Sequence, residues 1–368
     1  MKMPTSSAMS QVHLIGHGKR PQVLMLGQYP LDQIDIAPKV RTQAIWQALT
    51  RIADVTFVTG TRASRRRPLQ RLIAQGNLGH FDCAYLEAAT STSMETDLLL
   101  ISLLRAAQVP LGVYIRDAYN LFEMAPTESV KEKILHMGWF VSQWWYRQNA
   151  TTLFFPSQML ADVFSFPRRE VLMPAGEAAK LPPVFAGPFR YVLFAGRLDA
   201  GNGWNHLRPA MDIVTARFPQ VRLLALTKLE VDGEVPSWLE IRRGTLDDVR
   251  ADLPEIACGV VPRPHSVYND MAIPLKLMDY LSLGLPLVTT RCKEMAELVT
   301  ADGLGLTSDD TPEGLAENIC RIFAEPGLRQ ELAQSARQSF LARHTWDQRA
   351  RQLVESLIGR EWSPVGGD

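Results

Sequence analysis

The chain has 368 residues, 46% of them hydrophobic and 21% charged, which allows large cores without disulfide or metal staples. Lys plus Arg and Asp plus Glu each number 39, and this zero net charge speaks against a nucleic-acid binder, a class that is usually basic. The four cysteines, Cys83, Cys258, Cys292 and Cys320, are scattered in apolar stretches. They fit a reducing compartment, and no run approaches the ~18 apolar residues of a spanning helix, so the expected location is cytoplasmic.

Residues 1–20 read as a flexible tail. Gln22 to Gly27 is an apolar run closed by glycine, the pattern of a strand buried on both faces. A helix is predicted over 40–52, and strands over 54–58, 82–86, 110–115 and 151–155, with helices over 94–108 and 130–148 between them. Alternating strands and helices imply parallel β-α-β units. Residues 176–189, dense in Pro, Gly and Ala, read as a linker. Alternation then resumes with strands over 191–195, 221–226, 256–261 and 286–290 and a helix over 204–218. Thr345 and Gln348 form a capping box that opens a final helix over 346–360. The expected fold is α/β. A doubly wound half over 21–175 and a second over 190–345 face a central cleft, with ligands at the carboxyl ends of the strands.

Two segments of the second half carry chemistry. In 273–286, Pro274 suits a helix start, whose amides favour an anion. Lys276 adds a positive charge in the first turn, and Asp279, three residues on, shares its face. A carboxylate there suits a pair of ribose hydroxyls, although a plain surface ion pair fits the spacing equally well. In 194–204 a strand ends at Gly196, Arg197 follows, and Gly201 and Gly203 permit close backbone approach to a ligand. Arg197 has the forked donors that suit a diphosphate. The glycine spacing is not that of a dinucleotide fingerprint.

Together these segments resemble the C-terminal half of GT-B glycosyltransferases, in particular glycosyltransferase family 4 (group 1). Gly196-Arg197-Leu198 is similar to the family's Gly-Arg-Leu. Pro274-x-Lys276-x-x-Asp279-Tyr280-x-x-x-Gly284-x-Pro286 is similar to its Pro-x-Lys-x-x-Glu-Tyr-x-x-x-Gly-x-Pro, and Phe340 to Trp346 to the closing segment that crosses back to the first half. The resemblance implies a GT-B fold of two Rossmann-like domains, an acceptor half and a donor half. It also implies a UDP- or GDP-linked sugar donor, no metal and no other cofactor. Arg197 and Lys276 would neutralise the donor diphosphate and Asp279 would hold the ribose. The chain departs from the family in two places. Asn202 stands where a Lys is common, and Met271 where the first Glu of Glu-x7-Glu is common. His265, Asn269 and Asp270 in the same loop are candidate contacts to the sugar, though each alone reads as a solvated loop residue.

In the first half, Arg116-Asp117 follows an apolar strand, and the family places an acidic or His residue in this region as base; Asp117 is the candidate. Arg41, at the start of the first helix, could reach an acceptor or a phosphate, though its plainer reading is a helix-surface residue. Five arginines in 61–71, among them Arg65, Arg66 and Arg67, and the aromatic segment around Trp144 and Trp145 are candidate contacts to an anionic membrane surface. Their plain readings are a solvated loop and a core-facing helix. A glycan or lipid-linked acceptor at the inner face of the cell membrane follows as the expectation. The rival readings are a nucleotide-sugar epimerase of the same fold and a non-catalytic partner subunit.

Overall fold

The structure, a computed structural model, describes residues 20–34, 36–90, 92–122, 129–178, 187–227 and 234–359. The tail before residue 20, residues 179–186 of the linker and residue 360 lie outside the described residues.

Strands β1 (Gln22–Gly27), β2 (Asp54–Val58), β3 (Cys83–Glu87), β4 (Leu111–Tyr114), β5 (Thr152–Phe155) and β6 (Arg169–Val171) form one parallel sheet in the order β2-β1-β3-β4-β5-β6. The helices of this half are α1 (Ala37–Ile52), α2 (Arg62–Gln75), α3 (Glu95–Ala106), α4 (Val130–Asn149) and α5 (Gln158–Val163). The second sheet holds β7 (Tyr191–Ala195), β8 (Arg222–Leu226), β9 (Leu239–Arg242), β10 (Ile256–Val261), β11 (Leu287–Thr290) and β12 (Gly305–Ser308). Its order is β12-β11-β10-β7-β8-β9, again all parallel. Around it lie α6 (Trp204–Arg217), α7 (Val267–Asp270), α8 (Leu275–Ser282), α9 (Lys293–Ala301), α10 (Pro312–Ala324) and α11 (Pro326–Arg343). In this sheet the winding reverses between β7 and β10, and that junction opens a crevice at the strand ends.

The central strands are apolar on both faces, as helices on both sides require. Helix α12 (Trp346–Ile358), opened by the Thr345–Gln348 capping box, packs Trp346, Leu353, Val354 and Leu357 against Val23, Met25 and Ile45 of the first half. Ser157 Oγ donates to Met271 O at 2.5 Å, and the rings of Tyr119 and Tyr268 stack 4.7 Å apart, so the two halves also touch beside the cleft.

The arginine-rich segment is not a loop but helix α2, capped at its start by the Thr61 hydroxyl. Arg65 is buried within it and grips Asp97 of α3 through Nη1 (2.5 Å) and Nη2 (3.1 Å), so it cannot meet a membrane. Trp145 is likewise turned inward, its Nε1 donating to Leu98 O and to Ser102 Oγ, both at 2.9 Å. Arg66, Arg67 and Trp144 remain exposed, with Arg66 paired to Glu95.

Candidate active site in the cleft

A cavity of about 440 Å³ lies between the halves. Its first-half wall includes Arg41, Tyr114, Arg116 and Asp117, and its second-half wall includes Arg263, Tyr268, Met271, Pro274 and Lys276.

The second-half wall is built at the switch point. The loop after β7 carries Gly196, whose φ of +145° suits glycine and whose missing Cβ leaves room for Lys276 Nζ; a Cβ there would stand 2.7 Å from it. Gly203 has φ +85° and lies against the Pro262 carbonyl oxygen, 1.5 Å from where a Cβ would be, so the loops after β7 and β10 are locked together. Helix α8 enters behind Pro274, which stands just before the first turn rather than within it. It is pinned by Tyr280, whose hydroxyl accepts the Ala195 N–H at 2.6 Å and whose ring fills the space above Gly259.

This places Lys276 at the cleft-facing mouth of the second half. Its Nζ donates to Asn202 Oδ1 at 3.3 Å and stands 4.8 Å from the centre of the Phe194 ring. Asn202 in turn donates through Nδ2 to Asp199 Oδ1 at 2.8 Å, and Asp199 Oδ2 pairs with Arg197 Nε at 2.9 Å. Burial, and next the guanidinium of Arg263, hold the Lys276 ammonium down to about 7; Arg197 pushes the same way, while Asp199 and Asp279 oppose it. Arg263 donates through Nη1 to Asn269 Oδ1 at 3.2 Å, and its Nε is buried with no partner. Three cations thus crowd a partly buried spot, where burial first and the neighbouring guanidiniums next weaken the lysine's hold on its proton. Asp279 sits one turn deeper, its carboxyl raised by burial to about 7 against the pull of Lys276.

Lys276 lines the cavity as its motif implies, and beside it stands Arg263, which no motif marks. A positional signal was present: Arg263 follows β10 by two residues, as Arg197 follows β7 and Arg116 follows β4. Arg197 belongs to the charge cluster but does not line the cavity; its side chain is 66% exposed and held by Asp199. The loop candidates do not line the cavity. His265 is exposed and pairs with Asp270 at 3.1 Å, Asp270 Oδ1 accepts the Lys293 N–H at the start of α9, and Asn269 orients Arg263. Their neighbours Tyr268 and Met271 face the cavity instead.

On the first-half wall, Asp117 is buried. Its Oδ2 accepts Arg116 Nε at 3.1 Å and Thr90 Oγ1 at 3.3 Å, while its Oδ1 has no partner. Burial raises its carboxyl above the usual range, against the pull of Arg116. Arg41 is not a surface residue: only 2% exposed, it donates through Nε to Glu87 Oε1 at 3.0 Å and lies 3.5 Å above the Tyr114 ring. Among the described residues no three His, Cys, Asp or Glu side chains group in a way that would hold a metal ion, and no helix is long and apolar enough to cross a membrane.

Residues 255–355 match a family described as Glycosyl transferase-like. No curated protein matches the chain in sequence. Among solved structures the chain is similar to sucrose-phosphate synthase from Thermosynechococcus elongatus, with a TM-score of 0.62 and 12% identity over 92% of this chain and 98% of that one. It is similar to WaaG, a glycosyltransferase involved in lipopolysaccharide biosynthesis, with a TM-score of 0.60 and 12% identity over 91% and 100%. HepE of Anabaena, solved in complex with UDP, gives 0.61 and 14% over 91% and 99%. At such identities the likeness establishes the fold, which is GT-B.

Proposed function

We propose that this chain is a glycosyltransferase that moves a sugar from a UDP- or GDP-linked donor to an acceptor hydroxyl, with no metal and no further cofactor. The observation that carries this reading is the cationic cluster of Lys276, Arg263 and Arg197 at the switch point of the second sheet, where burial and neighbouring cations leave Lys276 short of an anion. A donor diphosphate supplies that anion, and the leaving charge is met by fixed cations. Asp279, beneath Lys276, takes the ribose hydroxyls. Asp117, across the cavity, uses its unpartnered Oδ1 to take the proton of the acceptor hydroxyl. The acceptor oxygen bonds to the anomeric carbon, the bond from that carbon to the phosphate oxygen breaks, and its electron pair leaves on the nucleoside diphosphate.

The test is donor consumption. Incubated with UDP- and GDP-sugars and a membrane extract, the protein should release nucleoside diphosphate and label an acceptor. Release from no donor tells against the reading, and conversion of the donor without any acceptor points to an epimerase.

The first half also supports a membrane-bound acceptor. Helix α4 exposes one apolar face, Val130, Ile134, Met137, Val141 and Trp144, with Lys131, Lys133 and Arg147 exposed beside it. Such a face suits an anionic bilayer surface, to which each nearby cation contributes on the order of 1 kcal/mol. The protein is expected to sediment with phosphatidylglycerol vesicles, and Met137→Glu together with Trp144→Glu to abolish this while sparing the fold. Unchanged sedimentation of that variant would remove α4 from the interface.

A further inference from the structure

Arg41 has one donor that its internal bonds leave unfilled. Its Nε is taken by Glu87 and its Nη2 lies 3.4 Å from the Tyr85 hydroxyl, but Nη1 is buried without a partner, in a side chain 98% shielded from solvent (2% exposed) that lines the cavity. A buried guanidinium donor left unmade is costly, which favours a ligand group that completes it. The N-terminus of α1 opens on the same wall: Ala37 and Pro38 line it, Ile36 offers no side-chain cap, and the first turn has no acidic residue. Pro38 has no amide proton and the Lys39 and Val40 amides bond Ile36 O, so this end attracts an anion through the field of a 16-residue helix rather than through a nest of amides. Arg349 of α12 adds positive charge nearby. Its guanidinium is lowered to about 10 by burial and by Arg41 itself.

We propose that Arg41 and the start of α1 form an oxyanion subsite on the acceptor side of the cleft, and that the acceptor carries a phosphate group there. The assignment of this wall to the acceptor rests on the donor reading given above. The same phosphate chemistry occurs in a soluble sugar phosphate and in a phospholipid-linked acceptor.

The test uses the full chain saturated with UDP and titrated by calorimetry with inorganic phosphate and with glucose 6-phosphate. Phosphate is expected to bind alongside UDP. In Arg41→Lys, which keeps the charge opposite Glu87 but lacks Nη1, the phosphate affinity should fall about tenfold or more, the worth of one charge-assisted hydrogen bond. UDP affinity should be unchanged. Displacement of phosphate by UDP, or equal phosphate affinity in Arg41→Lys, overturns the subsite. Should that variant fail to fold, tungstate soaked into wild-type crystals with UDP should give an anomalous peak within hydrogen-bonding distance of Arg41 Nη1, and a peak elsewhere or none overturns it. Comparing glucose 6-phosphate with phosphatidic acid vesicles separates the two sources: the ligand that Arg41→Lys weakens names the source, and weakening of neither counts against the proposal. If UDP does not bind at all while phosphate binding still depends on Arg41, the donor reading fails and the anion subsite stands.

Discussion

Lys276→Ala is expected to lower kcat/KM by about 10²–10³-fold, the loss seen when one preorganised stabiliser of a departing charge is removed. The fold should survive. Lys276 is held beside Arg263 and Arg197 in a partly desolvated site that already drives its ammonium down to about 7, so deleting it relieves repulsion within the protein. A melting temperature within a few degrees of wild type, with activity nearly lost, is the expected pair of results. Lys276→Arg should restore part of the activity, because a fixed cation is what the site supplies. The pH profile gives a second check. Lys276 must be charged to hold a diphosphate, and with its pKa depressed to about 7 it is protonated below that value and neutral above it. The kcat/KM of the wild type, which reports the free enzyme, should therefore fall as pH rises through about 7. In Lys276→Arg this fall should disappear. Asp279 titrates in the same range but with the opposite consequence, since ionisation strengthens its grip on hydroxyls, so it does not produce the alkaline fall. Full activity of Lys276→Ala would remove the donor-site assignment.

Asp117→Asn should cost about 10²–10⁴-fold in kcat, the usual worth of a positioned general base, with little change in donor affinity. The substitution is nearly isosteric, and the acceptor role of Oδ2 toward Arg116 and Thr90 is kept by an amide oxygen. What is lost is the unpartnered Oδ1 as a proton acceptor. Because burial raises the Asp117 carboxyl, the wild type should lose activity on acidification above the ordinary carboxylate range, and the residual activity of the variant should lack this limb. If the variant keeps both wild-type kcat and the acid limb, the base lies elsewhere on the wall.

The fold was legible wherever strands are buried on both faces. Gln22 to Gly27, Tyr191 to Ala195 and Ile256 to Val261 read as apolar runs and are strands at those limits. The strands that escaped, β6, β9 and β12, are all at sheet edges. Edge strands are half solvated, so Arg169-Glu170-Val171 and Leu239-Glu240-Ile241-Arg242 carry charges and lack the run. Helix α2 was hidden for a different reason: it is anchored by the buried Arg65–Asp97 pair, which joins residues 32 apart and leaves no periodic apolar stripe. In the site, the placing of Lys276 and Asp279 on one helix face was legible because one helix fixes their spacing; Lys276 lines the cavity and Asp279 does not. For Arg41 the sequence offers an acceptor or phosphate contact beside the plainer surface reading and does not decide between them, because its burial depends on Tyr114 and on Trp346, which reaches it only when the last helix returns to the first half. Arg263 carries only the positional signal of standing two residues past β10, and only the folded switch point brings it beside Lys276.

The central claim is that Lys276 and Arg263 share one diphosphate. A crystal structure of the protein with UDP tests it most directly. The β-phosphate is expected within hydrogen-bonding distance of both Lys276 Nζ and the Arg263 guanidinium, with the ribose over Asp279. A UDP bound outside the cleft, or bound within it with its phosphates turned away from both side chains, would contradict it.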